Sequence, residues 1–286
     1  MVESVNHTVV ADGVRTFLDD FRQQVSNAAG EIKVPTPQEM ADKIADWLQD
    51  EEVPYLRSVV NATGIILHTG LGRAPLADSA VDAVKEIATG YASVEIDLKS
   101  GERGQRVKAV ERLLCELTGA EAAVVVNNNA AATMLTLSAL AGGTEVIVSR
   151  GQLIEIGGSY RLPEVMECSG AKLREVGTTN KTRPSDYENA INENTGALLK
   201  VHPSNFEVVG FTAAVSTKEM VAIGQKHGIP VIDDVGSGAL IDFTRFGLMN
   251  EPVVRDSIND NADVALFSGD KLIGGPQCGI IVGKSK

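Results

Sequence analysis

From about residue 120 to residue 284 the chain alternates short, β-branched apolar runs with helical stretches. The runs are "AAVVV", "EVIVS", "KLREVG", "ALLKV", "IPVIDD", "ADVALFS" and "CGIIVG". Between most of them lie segments such as "AAATMLTLSALAGG", "SDYENAIN", "TKEMVAIGQKHG" and "PVVRDSIND". A strand that reads as continuous apolar sequence is buried on both faces, and strands spaced by helices join as parallel neighbours. The alternation therefore predicts an α/β domain with a mostly parallel, seven-stranded sheet.

Upstream, Val107, Val110, Leu113, Leu114 and Leu117 form one helical stripe that Gly119 should end. The segment "VVNATGIILHTGLGRAPL" is apolar, rich in glycine and short of helix formers. Residues 1–60 read as a small helical region. Val14, Phe17, Leu18, Phe21 and Val25 recur at helical spacing. After the break at Pro35 and Pro37, Thr36 is a candidate N-cap for a helix carrying Met40, Ile44, Trp47 and Leu48. The expected division is a helical region at 1–60 and one large domain at 61–286.

Composition narrows the partners. A formal net charge of −12 argues against sequence-blind nucleic-acid binding. No apolar stretch is long enough to span a membrane, and the N-terminus lacks a signal-peptide layout. Cys115, Cys168 and Cys278 are scattered, which predicts reduced thiols in a cytoplasmic protein rather than a disulfide framework or a zinc site.

In such folds ligands gather at the C-terminal ends of strands. "AAVVV" is followed by Asn127, Asn128, Asn129 and Ala130 at the start of a helix, where free amides can hold a phosphate or an asparagine can simply cap. "IPVI" is followed by Asp233 and Asp234, and "VALF" by Ser268, Gly269, Asp270 and Lys271. A lysine in a turn is ordinarily solvated. This one follows a buried strand among glycines, and lysine forms Schiff bases with aldehydes. No Walker or dinucleotide fingerprint is present, and no His or Glu completes a metal-ligand set beside the paired Asp. A phosphate cup, then an Asp, then a Lys is the order of a pyridoxal 5'-phosphate site of the aspartate-aminotransferase-like fold (type I).

Eight strings carry a resemblance: "VNATGIILHTGLGRAPL", "GERGQR", "VVNNNAAA", "SRGQLIEIGGSYRLPEVM", "EVGTTN", "LLKVHPSNFEVVGFT", "DDVGSG" and "FSGDKLIGGPQCGIIVGK". Together they resemble the bacterial selenocysteine synthases, the L-seryl-tRNA(Sec) selenium transferases. That resemblance implies conversion of L-seryl-tRNA(Sec) to L-selenocysteinyl-tRNA(Sec) with selenophosphate, through a dehydroalanyl aldimine. It implies Lys271 as the cofactor's anchor and Asp234, ahead of Asp233, as the partner of the pyridine nitrogen. It implies Asp270 as an active-site acid, and Arg103 and Arg106 as oxyanion-binding residues. Asn128, Asn129, Ala130 and Ser268 would surround the cofactor phosphate, with His202 nearby. His68 would line the site, while Glu155 is given no role.

The resemblance also implies a homo-oligomer of dimers with active sites between protomers. Members of the family continue past the lysine into a C-terminal domain, so residues 1–286 are expected to lack that domain and not to complete the reaction alone. Residues 1–60 hold five Lys/Arg against eleven Asp/Glu, a poor surface for tRNA. This keeps two alternatives open: a lyase of the same family acting on a small amino acid or amino sugar, and a non-catalytic remnant.

Overall fold

A computed structural model describes residues 7–27, 34–52, 55–158, 160–248 and 251–285. Residues 1–6, 28–33 and 53–54 of the expected helical region, and Lys286, lie outside the described residues. The chain divides into two units, Met1–Ala62 and Thr63–Lys286.

The first unit contains α1 (His7–Asn27) and α2 (Pro37–Glu52). Phe17 of α1 meets Trp47 of α2 edge-on, with ring centroids 5.8 Å apart. Thr36 caps α2 reciprocally: its backbone N–H donates to the Glu39 carboxylate at 2.7 Å, and the Glu39 N–H donates to the Thr36 hydroxyl at 3.3 Å.

The second unit opens with α3 (Asp78–Ala88) and α4 (Lys108–Thr118). Then follow β1 (Ala122–Val126), α5 (Asn129–Ala141), β2 (Glu145–Ser149) and a hairpin of two-residue strands, β3 (Glu155–Ile156) and β4 (Tyr160–Arg161). The chain continues through α6 (Leu162–Cys168), β5 (Lys172–Val176), α7 (Pro184–Ala190), β6 (Thr195–Val201) and α8 (Thr217–His227). It closes with β7 (Val231–Gly236), α9 (Val254–Asn259), β8 (Val264–Ser268) and β9 (Gly279–Gly283).

Seven strands form one sheet in the order β1-β9-β8-β7-β6-β2-β5. Neighbours from β8 to β5 are parallel, whereas β9 runs antiparallel to both β1 and β8. Alternate side chains leave opposite faces of a strand. Val146 and Val148 therefore pack with Leu137, Leu162, Met166 and Leu199, while Ile147 packs with Leu198, Met220 and Val231 on the other side. A third cluster sets Phe267, Ala265 and Val282 against Leu114 of α4 and Val254 of α9.

Two helices, α3 and α6, carry no sequence-based expectation. The stripe expected on α4 is only partly covered: Leu114 is buried, but Val110, Leu113 and Leu117 are exposed. None of α3 is buried either, and Val81, Val84 and Ile87 stand exposed three residues apart. Gly119 ends α4 as expected, at φ 81°, its N–H donating to the Cys115 carbonyl at 2.8 Å.

Candidate active site

The site forms where β1, β7 and β8 end and α5 begins. Asn128 caps α5, its side-chain oxygen accepting from the Ala131 N–H at 2.8 Å. The amides of Asn129 and Ala130, in the first turn, have no acceptor within the helix, the feature that lets a helix start hold an anion. The cup needs close backbone approach. A Cβ at Gly279 on β9 would strike the Asn128 carbonyl and the Asn129 amide.

Strand alternation separates the two adjacent aspartates. Asp234, 4% exposed, accepts from Asn129 Nδ2 at 2.8 Å and from the Thr133 hydroxyl at 3.1 Å. Burial raises its pKa to about 6, against the pull of those donors and of Lys271. Asp233 faces the opposite way. It accepts from Thr217 of α8 at 2.7 Å, Ser257 of α9 at 2.8 Å and Lys200 of β6 at 3.1 Å.

Past β8 a hydrogen-bonded turn fixes Lys271. The Gly274 N–H donates to the Lys271 carbonyl at 3.0 Å, and the Leu272 N–H to the Ser237 carbonyl at 3.1 Å. Burial first, then the Arg73 guanidinium, holds the Lys271 ammonium below its ordinary pKa, opposed by Asp234, Asp270 and Glu251. Arg73 is also the partner of Asp270: Nη1 donates to Oδ2 at 2.5 Å.

Lys271, Asp234, Asp270, Ser268 and His202 all line one cavity of about 200 Å³ together with Asn128, Asn129 and Ala130. The same cavity contains residues that the sequence reading did not single out, chiefly Arg73 and Tyr160. Burial and the Asp234 carboxylate push the Tyr160 phenol well above its ordinary range, so it stays protonated. Tyr160 lies within "GGSYRL", where nothing local marks it. Arg73 carried one signal, a glycine-flanked turn, and it adopts the left-handed conformation at φ 62°.

Four expected or undecided residues stand elsewhere. Arg103 and Arg106 both grip Glu95, each through Nε and Nη2 at 2.5–3.0 Å, and do not line the cavity. Their guanidinium groups hold the Glu95 carboxyl below its ordinary pKa. Glu155 pairs with Arg161 across the β3–β4 hairpin at 2.7 Å. His68 does not line the cavity, and its buried Nδ1 has no hydrogen-bond partner among the described residues.

A second cavity of about 600 Å³ adjoins the first and shares His202 and Ser204 with it. Threonines and asparagines of 178–182 and 204–205 line it, with Glu251 and Phe206. Among the described residues no group of three His, Cys, Asp or Glu is placed to hold a metal ion, and no helix is long and apolar enough to cross a membrane.

The family model described as L-seryl-tRNA selenium transferase matches residues 59–286. A relative named L-seryl-tRNA(Sec) selenium transferase from Geobacter sulfurreducens is 56% identical over 97% of this chain and 60% of its own length. One of the same name from Maridesulfovibrio salexigens is 52% identical over 100% of this chain and 62% of its own. The chain thus spans about 60% of the length of the curated relatives it matches. Among solved structures it is similar to D-glucosaminate-6-phosphate ammonia-lyase, with a TM-score of 0.64 and 22% identity over 84% of this chain and 60% of that one. It is also similar to SPT with PLP as internal aldimine, with a TM-score of 0.50 and 20% identity over 72% of this chain and 49% of that one. These likenesses show the fold, the aspartate-aminotransferase-like (type I) arrangement that the order of site residues predicts.

Proposed function

The chain belongs to the L-seryl-tRNA selenium transferase family, and we propose that it carries the pyridoxal 5'-phosphate site of an enzyme that converts L-seryl-tRNA(Sec) to L-selenocysteinyl-tRNA(Sec) with selenophosphate. The observation that carries this reading is the convergence of Lys271, Asp234 and the first turn of α5 on one cavity.

The residues present fit that cofactor. Asp234 is a buried carboxylate with two neutral donors and room for a third, which suits a protonated ring nitrogen. The amides of Asn129 and Ala130 and the buried Ser268 hydroxyl suit a phosphate, with Asn128 holding the helix end in place. Lys271, with its depressed pKa, suits an aldehyde. When bound, the cofactor supplies an electron sink for the substrate's Cα.

The chain's own groups do the remainder. The Lys271 amine takes and returns the proton at Cα, and burial, which lowers its pKa, favours the unprotonated form that this role needs. Asp270, fixed by Arg73, holds negative charge beside that amine. Arg103 and Arg106 present exposed guanidinium groups on a loop braced by Glu95, a geometry suited to an oxyanion such as selenophosphate. The exposed apolar face of α3 supports a homo-oligomer of dimers in which a second copy covers Val81, Val84 and Ile87 and completes the site. Three free thiols support a cytoplasmic setting.

The test is optical. The purified chain mixed with pyridoxal 5'-phosphate should develop a visible absorption band that sodium borohydride traps on Lys271. A colourless wild-type chain, or a Lys271→Ala variant with the same band, would overturn the proposal.

A further inference from the structure

His202 stands where the two cavities meet. Its backbone N–H donates to the Asp234 carbonyl at 2.9 Å, which ties it to the strand bearing the buried carboxylate. Its ring is turned so that Nε2 lies 3.5 Å from Oε2 of Glu251. That oxygen is buried and has no hydrogen-bond partner among the described residues. Glu251 is itself placed by the backbone just beyond it: Val253 bridges to Ala239, and the Val254 N–H donates to the Ala239 carbonyl at 2.9 Å. With Nε2 facing Glu251, Nδ1 is the ring nitrogen left for a ligand.

We propose that His202 and Glu251 form a proton-carrying dyad for the hydroxyl that leaves the substrate's β-carbon. His202 is the catalytic residue that meets the leaving oxygen, and Glu251 is the positioning residue that orients its ring and favours its protonated form. This rests on the function proposed above.

The chemistry requires such a group. When the Cβ–O bond breaks, the oxygen keeps the electron pair, and hydroxide leaves poorly unless a proton arrives with it. His202 gives its Nδ1 proton to that oxygen, water departs, and the neutral ring keeps its Nε2 proton towards Glu251. The larger cavity then lets solvent return a proton to Nδ1. Other groups in the site are committed elsewhere. Lys271 is engaged at Cα, Asp270 is paired with Arg73, and the Tyr160 phenol and Cys278 thiol are both pushed up by burial. The charged groups facing the imidazole are Glu251 from its loop, Lys200 from β6 and Asp233 from β7. Burial, helped by Lys200, holds the free ring below its ordinary pKa, and Glu251 and Asp233 oppose that fall.

Two measurements on the full chain test the dyad. The sequence has four histidines, so the His202 imidazole signal can be assigned by NMR from its loss in His202→Asn. Glu251→Gln should lower the midpoint of that signal's titration in the cofactor-free chain. With cofactor and seryl-tRNA(Sec) added, His202→Asn should slow hydroxyl loss about 100-fold while leaving deuterium exchange at Cα within about threefold. A midpoint that does not move in Glu251→Gln, or equal slowing of both steps, would overturn the dyad. If the chain takes up no cofactor, the proposed function fails, and the titration still decides whether Glu251 charges His202.

Discussion

Arg73 and Asp270 are 197 positions apart in sequence and meet at 2.5 Å beside Lys271, with 25% and 10% of their side chains exposed. Removing the arginine leaves a nearly buried carboxylate uncompensated, a change that costs about 3–5 kcal/mol when full. Because Arg73 is partly solvated, Arg73→Gln should cost about 1–3 kcal/mol in urea unfolding. The same change removes the positive charge that depresses Lys271. The lysine's pKa should therefore rise, and the pH at which it captures pyridoxal 5'-phosphate should move upward, measured as band formation against pH.

Asp234 makes a pH-dependent contribution of unusual sign. Its folded pKa of about 6 lies above the reference value of 3.8. Between those values the folded chain keeps a proton that the unfolded chain has released. This stabilisation is present at low pH and is lost as pH rises through about 6, leaving a burial cost of about 2–3 kcal/mol at neutrality. Asp234→Asn should thus stabilise the cofactor-free chain by about 2 kcal/mol at pH 7.5 and not at pH 4. Urea midpoints of both proteins at the two pH values would show it.

Gly279 sets how closely β9 approaches the start of α5, the proposed phosphate cup. Gly279→Ala would drive its methyl group into the Asn128 carbonyl and the Asn129 amide, and both are backbone atoms that cannot swing aside. Overpacking of this kind costs about 1–3 kcal/mol. The cup should distort as well, so affinity for pyridoxal 5'-phosphate should fall at least tenfold in an absorbance titration.

The strands were legible because burial on both faces leaves a local signature. Val146, Ile147 and Val148 are all apolar since each meets a covered face. The strand-end residues that line one cavity were legible for a related reason, because parallel topology gathers the same ends of neighbouring strands. What escaped depends on long-range contact. Arg73, Tyr160 and Glu251 gain meaning only through Asp270, Asp234 and His202, and no local period encodes those meetings. The stripe on α4 correctly marks a helix, yet four of its five leucines and valines are exposed. Periodicity reports that a face is apolar without saying what covers it. The antiparallel turn of β9 is likewise a matter of pairing, invisible in "CGIIVG" alone.

Arg103 and Arg106 separate binding from stability. Their side chains are 83% and 71% exposed, and both spend their donors on the single carboxylate of Glu95. Exposed pairs contribute about 0–1 kcal/mol, so Arg103→Ala or Arg106→Ala should leave the unfolding midpoint nearly unchanged. The cofactor band should also survive, because neither residue lines the cavity around Lys271. The loss should appear in oxyanion binding. Each variant should bind selenophosphate at least tenfold more weakly in a direct binding titration, and the double variant should lose the salt sensitivity that guanidinium–anion contacts impose. Retained selenophosphate affinity in the double variant would leave the pair as a brace for Glu95 and its loop.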